Sequence, residues 1–404
     1  MKISESSVDD TRPRVRMRPK TDARRIRFGY PWCYANEIVT DRRTKALTPG
    51  SLVILEDENR NPLGLAAVNP ISKIFARLID LDPAADVNQE WFAHRINKAL
   101  SLRDQLFKEP YYRLVHAEAD GLPGIVIDRF GDTLVIQPNA AWADQRIKML
   151  TAAAVEVTGA ECVVKNSSGR ARNLEALDDV TTIVFGKLPP MPVKVPMNGA
   201  IYMADLMGGQ KTGLYYDQRP NHRFVQDLAN GARVLDVFSH VGGFGLAALA
   251  GGAESLICVD SSEPSLELAA QAAEAMGVKE IFNIRHGDAF SVLSTLNDER
   301  ELFDLVVCDP PAFAPARQSL DAGLRAYERI ARLSANLVAE NGILVLCSCS
   351  HAADLEKFRG ASLRGIGRAG RKPVLIHTSF AGPDHPLLPQ LAESGYLKAL
   401  FFRL

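Results

Sequence analysis

The sequence predicts an α/β protein, with a parallel sheet covered by helices in the C-terminal half and smaller β-rich and α+β blocks ahead of it. Three observations carry this. After residue 196, apolar runs at 233–238, 255–260, 302–309 and 342–348 alternate with Ala-, Leu- and Glu-rich stretches such as 263–276 and 319–338. Near-continuous apolar strands between helices indicate a parallel sheet buried on both faces. Turns rich in glycine, acid or proline follow these runs directly, where such sheets bind ligands. Before residue 190, short apolar runs bounded by turn residues read as β strands.

At 404 residues the chain exceeds the roughly 250–300 residues that one hydrophobic core serves, so two or three domains are expected. No apolar run reaches the roughly 18 residues of a membrane span. The N-terminus lacks the apolar core of a secretory signal, which makes the cytoplasm the expected compartment. The six cysteines, Cys33, Cys162, Cys258, Cys308, Cys347 and Cys349, show no CxxC pairing, so reduced thiols are expected and no metal site. Net charge is −1, yet residues 1–45 hold twelve Lys/Arg against six acids. A local basic cluster of this kind can neutralise nucleic-acid phosphates, or, over residues 1–20, be a solvated flexible tail.

In order along the chain, 51–57 and 63–69 read as strands of a small barrel, and 88–108 has the spacing of a connector helix. Strands are expected at 111–117, 124–130, 133–138, 161–165 and 181–185, with a helix over 141–158. The proline-rich stretch 188–196 reads as a linker.

The ligand-binding turns come next. In LDVFSHVGGFG (235–245), Asp236 ends a strand, and Gly242, Gly243 and Gly245 open a helix. Glycine lets a backbone approach a nucleotide closely. The spacing is not the GxGxxG of dinucleotide sites. Asp260 ends the second strand, placed to accept from ribose hydroxyls, and Asp288 in RHGDAF follows the third. Three acids after three successive strands, with the glycines, point to S-adenosylmethionine. CDPPAF (308–313) closes the fourth strand: Asp309 could accept from an amine, and Phe313 could stack on a base. LCSCS (346–350) closes the fifth. Cys347 reads as a small buried residue. Cys349 stands where a thiolate could add to carbon 6 of cytosine and so activate carbon 5.

These motifs resemble the RlmI-like large-subunit ribosomal RNA cytosine-C5 methyltransferases, from about residue 20 onward. The matching segments are 24–38, 117–132, 209–222, 237–245, 308–313, 348–350 and 384–400. The resemblance implies a PUA RNA-binding domain over 21–85, a central α+β domain over 86–192 and a class I (Rossmann-like) methyltransferase domain over 193–404, after a basic tail at 1–20. It implies Cys349 as the nucleophile and Asp309 as the group holding the cytosine. For the cofactor it implies Lys211, Thr212, Asp217 and Arg219 beside Asp236, Phe238, Ser239, Gly242, Gly243, Asp260, Asp288, Ala289 and Asp309. For RNA it implies Arg24, Arg25, Arg27, Pro310, Phe313 and His385. Two departures stand out: SHVGGF replaces the usual SYTGGF, placing His240 and Val241 in the loop, and Ala312 stands where broader RNA cytosine-C5 enzymes carry a second cysteine. Base-nitrogen methylation through Asp309 and the prolines stays open as a rival reaction, as does an RNA-binding assembly factor with little catalysis. A homodimer is an option for the oligomeric state.

Overall fold

A computed structural model describes residues 12–208 and 213–404. The chain forms two compact units: residues 1–190, 206–213 and 384–394 make up the first, and 191–205, 214–383 and 395–404 the second. Among the described residues, no helix is long and apolar enough to cross a membrane.

The first unit holds two five-stranded sheets. One runs in the order Arg14–Arg16, Ser51–Glu56, Pro62–Val68, Ile74–Asp80, Trp32–Tyr34, and a bridge between Met17 and Ile38 joins its two edges. Joining the edges removes unpaired strand groups, as in a barrel. Val15, Met17, Ile26, Val53, Leu55 and Phe75 fill the interior. Arg14–Arg16, expected within the flexible tail, is a strand pairing parallel with Ser51–Glu56 because Val15 is buried among those apolar residues. Arg24–Arg27, within a stretch read as β, is a short helix. The other sheet has the order Thr182–Gly186, Cys162–Lys165, Thr133–Pro138, Ile125–Phe130, Tyr111–His116. Helices Gln89–Leu106 and Ile147–Thr158 contribute Phe92, Ile96, Leu150 and Ala154 to its core.

The segment 384–394 belongs to this unit, fastened by polar groups. Arg103, fully buried, donates to both Asp120 oxygens at 2.7 Å and to the Asp384 carbonyl at 3.0 Å. Asp384, also fully buried, accepts from the Arg113 backbone N–H at 3.0 Å.

The second unit is built on seven strands, labelled in chain order: β1 (Arg233–Val237), β2 (Ser255–Asp260), β3 (Phe282–His286), β4 (Phe303–Cys308), β5 (Val338–Ser348), β6 (Val374–Ser379) and β7 (Lys398–Arg403). Their order is β3-β2-β1-β4-β5-β7-β6, with β7 antiparallel to both neighbours. The order reverses at β1, so a crevice opens between the C-terminal ends of β1 and β4, where such sheets bind ligands. The helices are α1 (Arg219–Leu228), α2 (Gly243–Ala250), α3 (Glu263–Ala275), α4 (Ala289–Asp298), α5 (Leu320–Asn336) and α6 (Leu355–Arg368).

The stretch read as a proline-rich linker is instead half of a hairpin, Val193–Met197 with Ala200–Ala204. Asn198 (φ 54°) and Gly199 (φ 75°) form its turn. Asn-Gly adopts two successive positive φ values readily, which matches the twist of a tight hairpin.

Replacing Arg103 with Met should strand the Asp120 carboxylate and destabilise the chain by about 3–5 kcal/mol. Urea unfolding checks this, and a loss below about 1 kcal/mol would show that the pair does not hold the 384–394 segment.

Candidate active site

The glycine turn after β1 is fixed from below. Asp236, fully buried, accepts from the Gly245 N–H at 2.8 Å, and its Oδ1 has no hydrogen-bond partner. Burial raises this carboxyl to about 7. Asp236 therefore anchors the turn at the start of α2 from inside the protein. Phe238 (φ 62°), His240 (φ 50°) and Gly242 (φ 82°) are left-handed within five residues. Non-glycine residues held there are strained, a strain concentrated at functional sites. Gly245 allows close packing, since a Cβ would come within 2.7 Å of Leu256. Ser239 is buried, and its N–H donates to the Val259 carbonyl at 3.0 Å. The hairpin supports the same turn: the buried Tyr202 donates to the Gly243 carbonyl at 3.1 Å.

Asp260, half-buried at the end of β2, accepts from the His240 N–H and the Ser262 N–H, both at 2.8 Å. It thereby ties the glycine turn to β2 while keeping lone pairs available for a ligand. Asp288 is exposed, caps α4 by accepting from the Ser291 N–H at 3.0 Å, and precedes the buried Ala289.

After β4, Asp309 accepts from the Gln218 amide at 2.9 Å. Pro310 is buried, and Phe313 lies in an aromatic cluster with Tyr327 (centroids 5.0 Å apart), Phe290 (6.1 Å) and Phe238 (6.2 Å). Phe313, expected to stack on a substrate base, is half-buried and packs one side of its ring against the core.

Cys349 follows β5 and is the one cysteine among the described residues that is not buried. Its Sγ lies 3.9 Å from the Pro310 carbonyl oxygen, on the loop that Asp309 opens. The serines beside it are buried and clamped: Ser348 donates to the Tyr327 hydroxyl at 2.8 Å, and Ser350 Oγ lies 2.7 Å from it while accepting from the Ala314 N–H at 2.9 Å. Cys347, as expected, is a core residue.

Lys211 and Thr212 lie outside the described residues. Asp217 is buried; its carboxylate accepts from the Tyr396 hydroxyl at 2.6 Å and its carbonyl from the Gly382 N–H at 2.9 Å, so it fastens two loops together. Arg219 opens α1 with its guanidinium 5.5 Å from the Tyr216 ring centre. In the first unit, Arg25 pairs with Glu37 and Arg27 with Asp57 (2.8 Å), while Arg24 and Arg27 are both exposed. His385, expected to touch RNA, is buried: its Nδ1 is 3.1 Å from Asp384, and its ring is 4.9 Å from His116. Sequence reasoning missed Tyr215, Gln218, Tyr327 and Lys398. For Gln218, its place inside the 209–222 segment was an available signal. Tyr215 lies in the same segment, and its ring meets His240 edge-on at 5.0 Å.

The raised Asp236 carboxyl has a pH consequence. The folded chain holds this proton more tightly than the unfolded chain, so the group's stabilisation is complete below about pH 4 and is lost as pH rises through about 7. Asp236→Asn keeps an oxygen for the Gly245 N–H and should flatten stability between pH 5 and 8 in urea unfolding. An unchanged pH slope would mean that another group titrates.

A family model described as S-adenosylmethionine-dependent methyltransferase matches residues 175–403, and one described as a PUA-like domain matches 15–81. The ribosomal RNA large subunit methyltransferase I of Aeromonas salmonicida is 34% identical, with 93% of this chain and 95% of that protein covered. Its namesake from Cronobacter sakazakii is 33% identical, with 91% and 94% covered. A solved structure described as a methyltransferase complexed with SAH has a TM-score of 0.82 at 20% identity and covers 97% of this chain and 99% of its own, a likeness of fold. The chain belongs to the S-adenosylmethionine-dependent methyltransferases, in the family of the ribosomal RNA large subunit methyltransferase I proteins.

Proposed function

We propose that the protein methylates carbon 5 of a cytosine in large-subunit ribosomal RNA, with Cys349 as covalent nucleophile and Asp309 holding the base. S-adenosylmethionine is the cofactor of the family, and the residues fit it: a strained turn with a glycine at φ 82° follows β1, and partly exposed carboxylates end β2 and follow β4. Asp260 would take the ribose hydroxyls, Asp288 would lie at the adenine, and the turn from Phe238 to Gly243 would flank the methionine end. When bound, the cofactor supplies an electrophilic methyl group.

The observation that carries the reaction is the meeting of Cys349 with the Asp309 loop. Carbon 5 of cytosine is a poor nucleophile. Addition of the Cys349 thiolate to carbon 6 breaks the 5,6 double bond and leaves electron density at carbon 5. Once that electron density has taken up the methyl group, departure of the carbon-5 proton expels the thiolate and restores the double bond. Gln218, by donating to an Asp309 oxygen, holds the carboxylate in place. Ala312 cannot accept the departing proton, so another group must.

RNA recognition falls to the first unit. Its PUA-like domain carries the exposed Arg24 four residues before Phe28, a residue 72% exposed. A cation beside an exposed aromatic suits a phosphate next to an unstacked base. With Arg25 and Arg27 engaged by Glu37 and Asp57, Arg24 is the arginine of the three offered for phosphate.

Cys349→Ala should abolish turnover and leave cofactor affinity unchanged by calorimetry, because the thiol acts in the transition state. RNA containing 5-fluorocytosine should trap a covalent adduct with the parent enzyme and none with the variant. Near-normal methylation by Cys349→Ala would overturn the covalent reading in favour of base-nitrogen methylation. For RNA, Arg24→Ala should lower the slope of log affinity against log salt by about 0.7–1; an identical slope would return Arg24 to plain solvated surface.

A further inference from the structure

We propose that Lys398 is the cation that holds Cys349 in its thiolate form, a positioning role that rests on the covalent reading above. Strand β7 runs antiparallel to β5 with Lys398 opposite Ser348, the residue before Cys349. The Lys398 side chain is buried, and its ammonium donates to the carbonyl of Ser350, the residue after Cys349, at 2.7 Å. The charge is therefore fixed to the backbone one residue past the thiol.

A buried ammonium is costly unless an anion or several acceptors offset it. Among the described residues Lys398 forms no ion pair, and one carbonyl supplies only part of its solvation. Burial lowers the amine to about 8, opposed by the negative charge that Cys349 and, less strongly, Asp354 would present. At neutral pH the group thus stays charged. Asp354 is exposed and paired with Lys357, which leaves Cys349 as the buried-side partner.

Among the described residues, the tyrosines and the acid that face the thiol supply no cation. Asp309 and Cys349 both act on the Tyr215 hydroxyl, and Asp309 would oppose a second negative charge. Burial pushes the Tyr215 hydroxyl up and raises that of Tyr327 to about 12, so both stay neutral. His351, two residues on, is exposed to solvent. A fixed ammonium lowers a nearby thiol's pKa and increases its thiolate fraction. The thiol proton leaves to solvent, and the ammonium keeps its own.

The test is alkylation of Cys349 by iodoacetamide in the folded full-length protein, followed by mass spectrometry across a pH series. The other five cysteines are buried and serve as internal controls. Lys398→Met should move the alkylation midpoint up by about one pH unit and slow the reaction at neutral pH about ten-fold; Lys398→Arg should restore both. Lys398→Gln, which keeps a donor for the Ser350 carbonyl, gives the same reading if the Met variant does not fold. An unchanged midpoint in a folded, uncharged variant would overturn the proposal. Alkylation reports on the thiol without requiring methylation, so this proposal and the covalent reading fail separately. Active Cys349→Ala sinks the latter, and an unmoved midpoint sinks the former.

Discussion

The buried hydrogen bond from the Gly245 N–H to Asp236 is the constraint on which the site depends. It joins the end of the central strand to the start of the helix that follows, shielded from solvent. Around it the chain accepts left-handed Phe238 and His240, which tertiary packing must hold in place. Asp260 grips the same turn through the His240 N–H, and Tyr202 grips it through the Gly243 carbonyl. Three polar contacts from three elements thus fix one short turn, and the ends of β1, β2 and β4 converge beside it because the strand order reverses there. A cofactor entering such a turn meets a backbone already ordered, so little conformational entropy remains to be lost on binding.

Much of this was legible in the sequence, for a physical reason. Strands buried on both faces need unbroken apolar runs, so 233–238, 255–260, 302–309 and 342–348 marked their positions to within a few residues. The turns after them were legible because glycine, aspartate and proline each carry a backbone or charge requirement of their own. The hairpin at Val193–Met197 was obscured by prolines that read as linker, although Asn198-Gly199 is a strong local turn signal. Strand β6 was not read as a strand because it is largely exposed and lacks the buried apolar pattern.

What could not be read locally were the partners. Nothing near Arg25 or Arg27 in sequence announces that Glu37 and Asp57 neutralise them, since each pair closes through the fold of the small barrel. His385 reads as a polar residue near a turn, yet the structure buries it against His116 and Asp384. Phe313 follows two prolines in a pattern associated with base stacking, and nothing local announces that Tyr327, Phe290 and Phe238 surround its half-buried ring. Residue type alone fixes what a side chain can do; the set of neighbours decides which of those things it does.

The neighbourhood of Cys349 shows the same logic from the other direction. A thiol at the end of a parallel strand is unremarkable until its surroundings are counted. Ser348 and Ser350 are both tied to Tyr327, and Ser350 also holds the Ala314 N–H of the Asp309 loop. The backbone at Cys349 is thus fixed relative to the loop that Asp309 opens. Lys398 reaches this place only because β7 returns antiparallel beside β5, a pairing between residues about fifty positions apart. In sequence it is a lysine before an apolar run, the usual sign of a strand's solvated end. In the fold it is a buried charge whose position is set by a sheet register: a one-residue slip of β7 would turn its side chain to the other face. The antiparallel last strand therefore does more than complete the sheet, since it delivers a cation to the end of β5 that the parallel strands alone do not bring.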